Sequence, residues 1–104
     1  MALPVVDEAQ LQGMLGKGRS VVVDFYADWC GPCRAIAPEL EKLASESEGS
    51  VDFVKLDVDA NPRLTAELGI MGIPTVIHFA PDGSEFARAV GAARGEELAR
   101  RLRL

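Results

Sequence analysis

The sequence predicts an α/β protein, a mixed sheet covered by helices on both faces. Three observations carry that prediction. Strand-like runs of β-branched and aromatic residues alternate with stretches of helical periodicity through the first two thirds of the chain. One of those runs, SVVVDFYA, is apolar at consecutive positions, as a central strand buried on both faces should be. The last third changes character, with two strand-like runs around a Pro-Asp-Gly turn and then a helix, so the sheet must include antiparallel members. A length of 104 residues is that of one domain, expected to span 1–104 with a single core.

Taken in order, Asp7 and Gln10 have capping-box spacing, and Leu11, Met14 and Leu15 follow at helical intervals until Gly16 and Gly18 stop the helix. The central strand comes next. After the two cysteines, Ile36, Ala37, Leu40, Leu43 and Ala44 share one helical face, with Glu39, Glu41, Lys42 and Glu46 mostly opposite and Gly49 closing the segment. Pro38 falls inside this pattern; the apolar stripe continues across it, which predicts one kinked helix and not two. VDFVKLDV reads as a strand, and Asn61 and Pro62 cap and open a short helix carrying Leu64 and Leu68 before Gly69. TVIHFA and SEFARAV flank the turn Ala80 to Gly83 and should pair as antiparallel neighbours. In the final helix Leu98 and Leu102 face inward, and Arg100, Arg101 and Arg103 sit at the C-terminal end, where cations complement the helix dipole.

Composition removes several function classes. The net charge is -5 and no basic cluster occurs outside the last few residues, which argues against a nucleic-acid surface built on phosphate neutralisation. Apolar runs are interrupted by Asp24, Lys55 and His78 and never approach the roughly 18 residues of a membrane span. The first ten residues lack a basic segment followed by a long apolar one, so the expectation is a cytoplasmic protein.

Both cysteines lie in YADWCGPCRAIAP. A structural zinc site wants four ligands, and the chain offers two cysteines and one histidine, so no metal is expected. A structural staple closing so short a loop would contribute only about 2 kcal/mol and would not persist in a reducing compartment. A reactive pair fits the surroundings better. Cys30 falls where a strand meets a helix, whose unpaired N–H groups and positive dipole end favour thiolate, and Pro32 suits a first helical turn. His78, in an apolar strand away from the pair, reads as structural.

With VDFYADWCGPC, Pro38 in the following helix, KLDVDANP, GIMGIPT and VGA near the end, nearly the whole chain resembles the thioredoxin family. The resemblance implies the thioredoxin fold, a five-stranded mixed sheet flanked by four helices, the first three strands in sequence parallel and the last two antiparallel. It implies a thiol-disulfide oxidoreductase acting as a general protein-disulfide reductant. Cys30 would be the exposed thiolate that attacks a target disulfide, and Cys33 the buried thiol that resolves the mixed disulfide. Gly31 and Pro32 would tune the pair towards reduction. No bound cofactor is implied; NADPH would act indirectly, through a thioredoxin reductase that recycles the disulfide. The expected partners are that reductase and disulfide-containing target proteins, with no nucleic acid, no membrane and a monomeric state.

The family mechanism also assigns a proton acceptor, and Asp24, in a strand buried on both faces, matches it: desolvation should raise its pKa towards the range where it can take the Cys33 proton. Lys55 resembles the lysine that partners this aspartate, the other reading being a surface lysine that snorkels. By the same resemblance the Ile73–Pro74 bond would be cis, and Trp29, Val58, Gly72, Ile73, Pro74, Gly91 and Ala92 would form a flat, mostly apolar docking surface reached by main-chain pairing.

Two residues depart from the family pattern: Tyr26 stands where many members carry tryptophan, and Met71 where a basic residue is common. Tyr26 should alter fluorescence quenching more than chemistry; Met71 leaves the rim less cationic and bears on partner preference. A different class, a thioredoxin-fold interaction module or holdase without redox turnover, is weighed against by the intact Cys30-Gly31-Pro32-Cys33 together with Asp24 and Pro74.

Overall fold

The structure is a computed structural model in which residues 2–104 are described. The elements run α1 (Glu8–Met14), β1 (Ser20–Tyr26), α2 (Gly31–Glu46), β2 (Val51–Asp57), α3 (Pro62–Glu67), β3 (Thr75–Phe79), β4 (Glu85–Val90) and α4 (Gly95–Leu102). The sheet order is β2-β1-β3-β4, with β1 and β2 parallel and the β1–β3 and β3–β4 pairs antiparallel.

Among the described residues four strands form where five were expected. The N-terminal segment contributes a parallel bridge from Val5 to Lys55, held by Lys55 N–H donating to the Pro4 carbonyl and Val6 N–H donating to the Lys55 carbonyl, both at 2.9 Å. Pro4 has no N–H to extend the ladder, and Asp7 already caps α1, so the segment turns away after one bridge. The capping box itself forms as its spacing predicts: Asp7 accepts from Gln10 N–H at 2.8 Å and Gln10 accepts from Asp7 N–H at 2.9 Å.

Side chains alternate across β1. Val21, Val23 and Phe25 point to one face, where they meet Leu11, Val54, Leu56, Leu64, Ile77 and Phe79 beneath α1 and α3. Val22 points to the other, into a cluster with Ile36 and Leu40 of α2, Phe53, Val76, and Leu98 and Leu102 of α4. Helices thus cover both faces, and β1 is buried along Val21 to Phe25. α2 is one continuous helix with Pro38 inside it. At the pole away from the cysteines, Gly83 has φ 91° and a Cβ there would lie 3.1 Å from Gly16 N, so the β3–β4 turn needs glycine to close on the α1–β1 loop.

His78 is structural, as its sequence context predicts. Its ring is buried, with Nδ1 2.7 Å from the Leu102 carbonyl near the end of α4 and its face edge-on to Phe86.

Asn61 differs from expectation. It stands at the start of α3, but its side chain does not cap that helix. Its Oδ1 accepts from Glu8 N–H at 3.0 Å and its Nδ2 donates to the Asp57 carbonyl at 3.0 Å, so it ties the start of α1 to the end of β2. Asn61→Ala leaves both part-buried backbone groups without that partner and should cost about 1–3 kcal/mol, read as a lower urea midpoint with an unchanged m-value.

Candidate active site

Strands β1 and β2 pair in register, with Asp24 opposite Lys55 and Tyr26 opposite Asp57. The face that carries Val22 and Phe53 in the core therefore continues, towards the C-terminal ends of these strands, as Asp24, Lys55, Tyr26 and Asp57. The start of α2 lies over this polar stretch. Asp24, Tyr26, Ala27, Asp28, Cys33, Arg34, Ala37 and Lys55 line a cavity of about 150 Å³.

Cys30 and Cys33 are joined in a disulfide, with Cα atoms 5.3 Å apart. Cys30 is the N-cap of α2, and its Sγ accepts from Cys33 N–H at 3.2 Å; Pro32 lies in the first turn. A sulfur in that position receives an N–H and the positive end of a 16-residue helix, and both interactions strengthen when it becomes a thiolate. Gly31 and Pro32 are exposed beside it.

The division into an exposed Cys30 and a buried Cys33 does not hold in the disulfide-bonded state, where the two are 3% and 4% exposed. Cys30 is tied inward to Cys33 within a small cluster that includes Ala27 and is flanked by Tyr26, Val58 and Ile73. What separates the sulfurs is what lies beneath them: Cys33, and not Cys30, lines the cavity that holds Asp24.

Asp24 is 4% exposed, and its Oδ1 takes no hydrogen bond among the described residues. Burial pushes its pKa from 3.8 up to about 7, against a smaller opposing pull from the Lys55 charge. Lys55 is half-buried, and its Nζ lies 4.9 Å from the centre of the Tyr26 ring.

The residues expected from the sequence to dock targets gather on the adjoining surface. Trp29 is 69% exposed, Gly72 and Ala92 are exposed, Val58, Ile73 and Gly91 are half-buried, and Pro74 is buried behind a cis Ile73–Pro74 bond. Gly91 N–H donates to the Pro74 carbonyl at 2.8 Å, which brings residues 91 and 92 beside the cis-proline loop. The expected flat surface includes a recess of about 360 Å³ whose walls are Trp29, Val58, Thr65, Ile70, Met71, Gly72 and Ile73. Its rim carries no charge at Met71, which is fully exposed.

Two participants escaped the sequence reading although both lie in stretches already singled out. Asp59 accepts from the Trp29 indole N–H at 2.7 Å and fixes that ring; Arg34 walls the cavity, and its guanidinium donates to the Asp28 carbonyl at 2.7 Å. A carboxylate in KLDVDANP and an arginine after the second cysteine carry no signal in themselves until the fold brings them to the tryptophan and the aspartate.

A redox-active cysteine pair capping a helix on a mixed sheet of this topology defines a thiol-disulfide oxidoreductase, a protein-disulfide reductase by class. The chain belongs to the thioredoxin family, whose model, Thioredoxin, matches residues 3–103. Thioredoxins of Staphylococcus aureus, from strains Mu50 and USA300 among others, are 46% identical over 99 residues, covering 95% of this chain and 93% of theirs. Among solved structures, a chloroplastic thioredoxin z aligns with a TM-score of 0.83 at 34% identity, covering 96% of this chain and 90% of that one. A chain from a study of thiol resolution in yeast mitochondrial 1-Cys peroxiredoxin via glutathione/thioredoxin systems aligns at 0.84 with 28% identity, covering 97% and 93%. Family membership implies disulfide-containing targets and recycling by a reductase.

The buried carboxyl makes stability depend on pH in a stated direction. Between 3.8 and about 7 the folded protein holds the Asp24 proton and the unfolded chain releases it, so stability falls as pH rises through that window and is fully reduced above it. The gap between those values corresponds to about 4 kcal/mol as an upper figure. Oxidised Asp24→Asn should therefore be more stable than the native protein in urea at pH 8, with most of that advantage gone at pH 4.

Proposed function

We propose that residues 1–104 form one thioredoxin domain that serves as a general protein-disulfide reductant, with Cys30 as nucleophile and Cys33 as resolving thiol. The Cys30 thiolate attacks one sulfur of a target disulfide; a Cys30–target S–S bond forms and the other target sulfur leaves as thiolate. Cys33 then loses its proton to Asp24 and attacks the Cys30 sulfur. The Cys30–Cys33 disulfide forms, and the target's second sulfur leaves as thiolate. Two electrons have passed to the target.

The observation that carries this reading is the asymmetry beneath the disulfide: Cys33 opens onto the cavity of a carboxyl whose pKa lies at about 7. An ordinary aspartate would be ionised at neutral pH but too weak a base to draw a thiol proton; one near 7 accepts it readily. The cavity has room for water to carry the proton. Lys55 supplies the positive field that keeps part of the Asp24 population ionised. Gly31 and Pro32 keep the surface over the sulfurs low, and Trp29, Val58, Gly72, Ile73, Pro74, Gly91 and Ala92 receive the extended target segment, with main-chain groups of the cis-proline loop offering the hydrogen bonds.

The attacking cysteine of thioredoxins in general has a thiol pKa of about 7. Against an ordinary 8.5, such a value raises the thiolate fraction at pH 7 about 16-fold, while lower intrinsic nucleophilicity takes back about fivefold. The remaining advantage of about threefold is small, so the rate must come mainly from leaving-group stabilisation and from holding Cys33 within reach.

The reading includes no resident cofactor, NADPH electrons delivered by a thioredoxin reductase, a monomer, a cytoplasmic location, and no nucleic-acid or membrane partner. The acidic net charge supports the exclusion of nucleic acid. No helix among the described residues is long and apolar enough to cross a membrane.

Insulin reduction driven by dithiothreitol tests the assignment. Cys30→Ser should abolish turnover, and Cys33→Ser should stall as a mixed disulfide with the target. Activity surviving both would remove redox chemistry and return the interaction-module reading. In stopped-flow measurements at neutral pH, Asp24→Asn should leave attack by Cys30 near normal and slow resolution by about a hundredfold, the low end of what a positioned proton acceptor contributes; unchanged resolution takes Asp24 out of the mechanism.

A further inference from the structure

We propose that Tyr26 is a positioning residue for Lys55: its ring face holds the lysine ammonium at the mouth of the Asp24 cavity, and this contact sets how strongly that charge acts on the carboxyl. The inference deepens the function proposed above, resting on it for the kinetic consequence alone.

The geometry starts with the strands. Tyr26 follows Asp24 by two residues on β1 and so shares its face, and Lys55 lies directly across from Asp24 on β2. The Lys55 backbone is clamped on its outer side by hydrogen bonds to Pro4 and Val6, so its Cα is fixed while four side-chain torsions stay adjustable. A half-buried lysine with that freedom would carry its ammonium out to water, because the stem can lie along apolar surface while the charge stays hydrated. Instead Nζ sits 4.9 Å from the Tyr26 ring centre, within the roughly 6 Å over which a ring face attracts a cation.

No hydrogen bond at Asp24 Oδ1 does this job, since that atom has no partner among the described residues. The other cation in the cavity wall, Arg34, has a tether of its own in the Asp28 carbonyl. The ring is the equivalent tether for Lys55. The remaining groups near the pair are accounted for: Asp28 from the loop after β1, Cys33 and Arg34 from α2, and Asp57 from β2 opposite Tyr26. Burial, followed by the charges of Asp57, Asp28 and Asp24, makes the Tyr26 hydroxyl harder to ionise, so the ring stays neutral and its face stays attractive to a cation at working pH.

Two measurements on the oxidised protein test this, and neither depends on catalysis. In the unaltered protein, the Lys55 Hε protons should be shifted upfield by the ring current; random-coil values would overturn the proposal. In a mutant cycle read by ¹³C NMR titration of the Asp24 carboxyl, Lys55→Gln should raise the midpoint by about one pH unit, the low end for a nearby opposite charge. The same rise is expected in a Tyr26→Phe background, which keeps the ring. In a Tyr26→Leu background it should fall to less than half. An equal rise with and without the ring overturns the proposal, whatever Tyr26→Leu does by itself to cavity hydration. The pH profile of the resolution rate should follow the same pattern; if Asp24→Asn does not slow resolution, the proton step fails while the carboxyl titration still decides the role of Tyr26.

Discussion

Pairing β1 with β2 in parallel, with Asp24 against Lys55, is the constraint on which the active end depends. Strand side chains alternate with a period of two, so a slip of one residue would swing Lys55 and Asp57 to the α1 and α3 side and bring Val54 and Leu56 under α2. The hydrophobic pattern forbids that slip, since it would exchange the two core faces. The placement of a charge beside the Asp24 cavity is thus enforced by the burial of residues such as Phe53, Val54 and Leu56, which do not line it. The core fixes the register, and the register fixes the electrostatics.

What that register creates is costly. A carboxyl with an oxygen lacking any hydrogen bond among the described residues would be poor design in a purely structural strand, where an aliphatic residue would continue the Val22 stripe. Here the penalty raises the proton affinity of the group to about the level at which it can both hold and release a proton near neutrality. Lys55 moderates the effect without cancelling it, because the two charges act on each other through the field and no hydrogen bond binds Oδ1.

Much of this was legible in the residues. Alternation of strand and helix patterns, the doubly buried β1, the capping box at Asp7 and the turn at Gly83 are local signals, and each is realised. Asp24 could be picked out because a charge among consecutive apolar residues is conspicuous by itself. The failures came where the answer lay in another segment. Asn61 looked like a cap, but its side chain found Glu8 and Asp57, partners that no window around residue 61 contains. The fifth strand was carried over from the family and was lost to Pro4 and the early start of α1. Cys30 is buried in a structure where it is bonded to Cys33, and the oxidation state is not a property the sequence carries. Tyr26 read as a simple aromatic replacement, since nothing near it in the chain announces that Lys55 would arrive at its face.

The bond from Gly91 N–H to the Pro74 carbonyl, and the one from Thr75 Oγ1 to the Gly72 carbonyl at 2.6 Å, tie the loops around Pro74 and Gly91 together through main-chain acceptors. Ile73 packs inward against the cysteine cluster, whereas Met71 and Ala92 are displayed to solvent and do little to support the loops that carry them. Framework and display are therefore separable. Exposed positions such as Met71 and Ala92 can vary in sequence while the main-chain ties behind them, which depend on no particular side chain at those two positions, stay in place.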